Sequence, residues 1–172
     1  MRLPFLRKAT TGGDPLIVAM TGVRLGESVI FAGRSAGWAV PLAARTGLSG
    51  RCLVLGPPDV TAPIESAASR EGVLVETSAV PPPGPAFDLA VIETTAGWES
   101  AAREVRTATR SGGRVIVVAG APPAGLLARL KGGAAEPIAA QSVVAALIKL
   151  GWERVRPIGE RDGVRFVEGV AP

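Results

Sequence analysis

Five short, unbroken apolar runs, each leading through a turn into a stretch of helical periodicity, limit how this chain can fold. They are residues 28–32 (SVIFA), 52–55 (CLVL), 73–75 (VLV), 89–92 (LAVI) and 115–118 (VIVV). A strand with one solvated face alternates apolar and polar side chains. A run that is apolar at every position fits a strand covered on both faces. Between the runs, residues 38–46, 60–71 and 98–108 read as helices. In the third of these, Trp98, Ala101, Ala102, Val105 and Ala108 share a face, with Glu99, Arg103, Arg106 and then Arg110 outside it. Strands alternating with helices predict a parallel sheet with right-handed crossovers and helices on both sides.

The remaining segments complete that α/β plan. Asp14-Pro15 opens a helix that stops at Gly22. Residues 78–86 (SAVPPPGPA) form a stiff surface loop, and Ser111-Gly112-Gly113 reads as a turn. Residues 119–137 are loop-rich, with a short helix over 126–130, and 138–150 form the last helix. Residues 152–158 and 164–170 flank Glu160-Arg-Asp-Gly163 as a β-hairpin. The expected fold is a single doubly wound, mostly parallel seven-stranded sheet closed by a C-terminal antiparallel hairpin. It occupies residues 14–172 as one domain, behind a flexible basic segment at residues 1–13.

Composition removes several function classes. The 172 residues include no His, no Tyr and one cysteine, Cys52. An intramolecular disulfide, a Cys-cluster zinc site and His-based catalysis are therefore excluded, and no metal site is expected. Of the net charge of +4, Arg2, Arg7 and Lys8 supply three, leaving the body nearly neutral. Aromatics are 4% of residues, so a nucleic-acid surface with stacking platforms is not expected. Neither a membrane-spanning run nor a signal peptide is legible, and a cytoplasmic location is the expectation.

In an open α/β sheet, ligands sit beyond the carboxyl ends of the strands, beside the first βα turn. The expected site therefore gathers Gly33, Arg34, Ser35, Ala36 and Gly37, then Gly56, Pro57 and Asp59, then Ser78 and Ala79, then Glu93 and Thr94. Gly33 and Gly37 let backbone approach a ligand, and the following helix turns free N–H groups toward it. Arg34 could meet a carboxylate. Glu93 is the best-placed acid for proton abstraction or amine contact. Asp59 either caps its helix or binds a ligand. Trp38 and Trp98 either pack helix on sheet or stack on a ring, and Cys52 is buried and inert. The chain has neither GxxxxGK[ST] nor GxGxxG, which argues against ATP or NAD.

Five β-α units ending in an antiparallel hairpin resemble the class I S-adenosylmethionine-dependent methyltransferases. The similarity runs from Leu25 to Val170 and includes residues 26–37 (GESVIFAGRSAG), 85–92 (PAFDLAVI) and 110–118 (RSGGRVIVV). It implies S-adenosylmethionine in the Gly33–Gly37 cleft and methyl transfer to a small-molecule or protein acceptor. Glu93 would then be the catalytic base or an orienting group. The family's acid-x-Gly-x-Gly-x-Gly pattern falls on Phe31, Gly33, Ser35 and Gly37. Its ribose-binding acid falls on Gly56, with Asp59 three residues on as a substitute, and its adenine-side acid falls on Ser78. Each lost charge-assisted bond removes about 1.5–3 kcal/mol, so two together weaken binding roughly 100-fold or more. An alternative is a degenerate, non-catalytic member serving as a binding or assembly module through the basic N-terminus or a sheet edge. A third reading is a binder of some other anion at the same helix N-terminus.

Overall fold

The computed structural model describes residues 18–120 and 138–172. Its first strand, β1 (Ser28–Ala32), lies inside the sheet and is buried at every position after Ser28. Val29 and Phe31 join one core cluster with Trp38 and Leu42 of α1 (Ala36–Thr46) and Ile64 of α2 (Pro58–Glu71). Ile30 and Ala32 join another with Trp98, Ala102 and Val105 of α3 (Trp98–Ala108) and Leu147 of α4 (Ala140–Lys149). Both faces of the strand need apolar side chains, which is why the run has no polar interruption. A fully buried aliphatic or aromatic side chain contributes about 1.5–3 kcal/mol.

The same holds for β2 (Arg51–Leu55), β4 (Phe87–Glu93) and most of β5 (Thr109–Ala119). With β3 (Glu76–Ser78), β6 (Glu153–Arg161) and β7 (Val164–Val170), they form a seven-stranded sheet in the order β3-β2-β1-β4-β5-β7-β6. β1 to β5 are mutually parallel, and β7 runs antiparallel to both β5 and β6. The doubly wound, mostly parallel sheet with its C-terminal hairpin is thus observed. Between Arg161 and Val164 the hairpin turns on Asp162 (φ 51°) and Gly163 (φ 78°). Positive φ at both central residues is the type I′ geometry that matches strand twist.

Several local expectations are corrected. The third strand is not residues 73–75 but Glu76–Ser78, a short edge strand rather than a buried one. The Val73 N–H closes α2 by donating to the Ala68 carbonyl at 2.9 Å, so it cannot join the sheet ladder. Val73 and Val75 pack beside the core instead, and Leu74 is 80% exposed. Ser111-Gly112-Gly113 is no turn. It lies within β5, where the register with β4 shifts between Phe87 and Leu89, and Ala171 exchanges hydrogen bonds with Gly112 and Gly113. α2 begins earlier than expected: Pro57 is its N-cap, and Asp59 lies in its first turn without the capping role. A proline at the first helical position is preorganised for that start. Expectations for residues 1–13, 14–17 and 121–137, including the helix over 126–130, fall outside the described residues.

Charged groups fasten the amino-terminal edge of the sheet. Arg114 Nη2 donates to Glu27 Oε1 and to the Gly22 carbonyl, both at 3.0 Å. Asp88 accepts from the Ser28 N–H at 2.7 Å and pairs with Arg110 at 2.7 Å. At the outer edge, β6 is mostly exposed, contains Pro157, and is laced to β7 by the pairs Arg156–Glu168 and Glu160–Arg165. Among the described residues, no helix is long and apolar enough to cross a membrane.

Two measurements check this core. Phe166 is fully buried, its ring 6.0 Å from that of Trp38 in an edge-to-face contact at 79°. Phe166→Ala should cost about 3–5 kcal/mol in a denaturant titration. Cys52 is buried, which pushes its thiol up to about 12, with the nearby Glu76 charge adding to the rise. The thiol therefore stays protonated through neutral and mildly alkaline pH. A thiol-specific reagent in mildly alkaline buffer should leave it unmodified until the chain is unfolded, and then react once.

Candidate functional site at the carboxyl edge of the sheet

Parallel pairing of β1 to β5 places the turns after β1, β2, β3 and β4 along one edge. There a cleft of about 250 Å³ opens between them. Its floor is Ala32, Gly33 and Leu55, one flank carries Gly56, Pro57 and Ala79, and the other is built by Glu93, Thr95 and the start of α3. The volume lies somewhat below the range of about 300–1,000 Å³ usual for small-molecule sites.

The turn after β1 is organised by Glu93. Its Oε2 accepts the Arg34 N–H at 2.8 Å and the Ser35 N–H at 3.1 Å. β1 and β4 are neighbours, with Ala32 paired to Ile92, so the last residue of β4 reaches the turn directly. Gly33 permits this contact. A Cβ there would stand 2.7 Å from Glu93 Oε2, 2.7 Å from Glu93 Cβ and 2.6 Å from Phe31 Cζ. Phe31 and Trp38 are in the core and do not obstruct the cleft from within.

The expected site residues divide into two groups. Gly33, Arg34, Gly56, Pro57, Ala79 and Glu93 line the cleft together. The others do not line it. Ser35 is the N-cap of α1 and contributes its amide, while Ala36 and Gly37 lie inside the helix. Asp59 is exposed on α2. The Ser78 hydroxyl donates to the Val80 carbonyl at 2.6 Å, and its own carbonyl accepts the Gly56 N–H at 2.9 Å. The Thr94 N–H extends the β4–β5 ladder by donating to Val118.

Residue reasoning missed Glu104. It reaches the cleft with Ser100, Ala101 and Gly97, and the Ser100 hydroxyl donates to Glu104 Oε1 at 3.3 Å. Positions 97, 100, 101 and 104 share one helical stripe, a signal present in the sequence but hidden beside the stronger apolar stripe. Trp98 packs helix on sheet as part of the core, 8% exposed, and it also lines the cleft. Among the described residues the lining thus includes two acidic residues, Glu93 and Glu104, and one basic residue, Arg34. A larger hollow of about 520 Å³ lies at the opposite edge, around Leu48, Leu74 and Cys52. Its charged groups, Arg51 and Glu76, pair with each other at 2.8 Å.

The fold defined here is that of the class I S-adenosylmethionine-dependent methyltransferases, and solved structures share it over nearly the whole chain. An S-adenosylmethionine-dependent methyltransferase from Aquifex aeolicus superposes with a TM-score of 0.70 at 16% identity, over 93% of this chain and 90% of that one. An S-adenosylmethionine-dependent O-methyltransferase from Thermotoga maritima gives 0.66 at 15% identity, over 90% of this chain and 63% of that one. The [4+2]-cyclase SpnF gives 0.58 at 21% identity, over 84% and 58%. No protein-family model and no curated protein matches the chain.

The residues present suit the two ends of S-adenosylmethionine better than its ribose. Glu93 and Glu104 offer negative charge to a sulfonium or ammonium group, and Leu55, Pro57 and Ala79 offer apolar surface to a ring. Where the family holds ribose hydroxyls with an acid, Gly56 has only backbone. The loop geometry predicts that Gly33→Ala forces Glu93 and Phe31 apart. Overpacking of this kind costs about 1–3 kcal/mol, read as a lower melting temperature. Amide signals of Arg34 and Ser35 should shift in the same variant as their shared acceptor moves.

Proposed function

We propose that this protein binds S-adenosylmethionine in the cleft after β1, and that it positions the cofactor's methyl group for transfer to a small-molecule or protein acceptor. The observation that carries this reading is the meeting of the Gly33 turn with the Glu93 carboxylate at the carboxyl edge of a sheet with this strand order. The edge is where open α/β folds bind ligands, and the turn brings main chain close to whatever occupies it. Gly33, Arg34, Gly56, Pro57, Ala79 and Glu93 are the proposed contact residues. Glu93 acts as an orienting group, because the carboxylate oxygen facing the loop already accepts two hydrogen bonds. Methyl transfer depends chiefly on alignment of acceptor and sulfonium, which a chain without histidine can supply.

A second reading is a non-catalytic member of the same fold that serves as a binding module. The bare backbone at Gly56 favours it, because the ribose then lacks its acidic partner. SpnF is described as a cyclase on this fold, which also separates the architecture from any one reaction. Titration calorimetry with S-adenosylmethionine and with its demethylated product distinguishes the two readings. Binding in the micromolar range is expected for the cofactor, and no heat at millimolar ligand with a folded protein would leave the binding module.

A further inference from the structure

The Glu93 carboxylate sits where a bound anion would sit. The turn before α1 aims two consecutive main-chain N–H groups, those of Arg34 and Ser35, at a single point. Two converging amides at the head of an eleven-residue helix form the kind of concavity that collects phosphate or carboxylate. Here that point is Glu93 Oε2, at 2.8 and 3.1 Å from the two donors. The arrangement is built rather than incidental. Glu93 ends a strand paired along its length with β1, and the buried Gly33 leaves the space through which the carboxylate enters. Glu104 adds a second negative charge on the cleft wall, and Arg34 is the one basic residue among the described residues that line it.

We infer that Glu93 is an internal counter-ion that fills the anion place at the head of α1, so that the cleft selects guests of net positive charge and turns away phosphorylated ones. Two effects give this selectivity. A phosphate entering the cleft finds its natural donors already satisfied, and it meets two carboxylates. A cation meets those carboxylates without displacing anything. The inference deepens the cofactor reading above and rests on it for the identity of the guest. S-adenosylmethionine carries a sulfonium and an ammonium against one carboxylate, whereas its demethylated product has no net charge. Glu93 would therefore bias the cleft toward the cofactor over the product through its charge, while the two loop amides hold its carboxylate in place.

The test uses the full chain, labelled with nitrogen-15. In the wild type, formate or inorganic phosphate should leave the Arg34 and Ser35 amide signals unmoved. In Glu93→Ala the vacated place should open, so that both signals shift saturably with either anion. Formate should also restore the wild-type positions of the two amides, which a merely structural role for Glu93 would not produce. Glu93→Gln keeps an acceptor for the amides without the charge and serves if the alanine variant fails to fold. Wild-type protein should prefer S-adenosylmethionine over the demethylated product by roughly tenfold, and Glu93→Gln should lose most of that preference. Saturable phosphate shifts at Arg34 and Ser35 in the wild type would overturn the inference, as would a preference unchanged in Glu93→Gln. If neither nucleoside binds but the anion titrations behave as expected, the cofactor reading fails and the role of Glu93 stands.

Discussion

Two-sided burial of β1, of residues 89–92 in β4 and of residues 115–119 in β5 is the constraint from which the other features follow. A strand covered on both faces has no room for a charged side chain along its length, because an unpaired buried charge costs several kcal/mol. Polar chemistry is therefore displaced to strand ends. Parallel pairing then assembles the outgoing ends on one edge. Gly33 and Glu93 meet there as neighbours, although the hydrogen bond from Arg34 to Glu93 spans 59 positions of sequence.

The two edges of the sheet are electrostatically unlike. At the incoming edge, carboxylates are matched by guanidinium groups: Glu27 by Arg114, Asp88 by Arg110 and Glu76 by Arg51. These pairs hold the starts of strands in register. At the outgoing edge, Glu93 and Glu104 take part in none of the described ion pairs, and Glu93 is satisfied by main-chain amides instead. Backbone dipoles stabilise a carboxylate without neutralising the field it projects into the cleft. The outgoing edge is thus the one that remains electrically available to a guest.

Much of this was legible in the residues, and each failure has a physical cause. The runs at 28–32, 52–55, 89–92 and 115–118 announced β1, β2, β4 and β5, since double burial demands such sequences. Val73 and Val75 gave the same signal for a different reason. They pack at the rim of the core while the Val73 amide closes a helix, so apolar character did not mean strand. Gly112 and Gly113 looked like a turn because a strand irregularity asks for the same residue type. In the site, Gly33, Gly56 and Glu93 followed from strand-end logic. The double acceptance at Glu93 and the approach of Glu104 did not, because both depend on distances across elements that no spacing rule encodes.

The flanks of the sheet carry a further consequence. On one side the terminal ribbon, β3, is three residues long. On the other, β6 interrupts its free margin with Pro157, which has no donor to offer, and spreads Glu153, Arg154, Arg156 and Glu160 along it. A templated fibre needs a long, uncharged margin onto which the next copy can zip, and neither flank supplies one. Concentrating this protein should not drive it into cross-β deposits while the fold is intact, so any such accretion would report prior unravelling of the core.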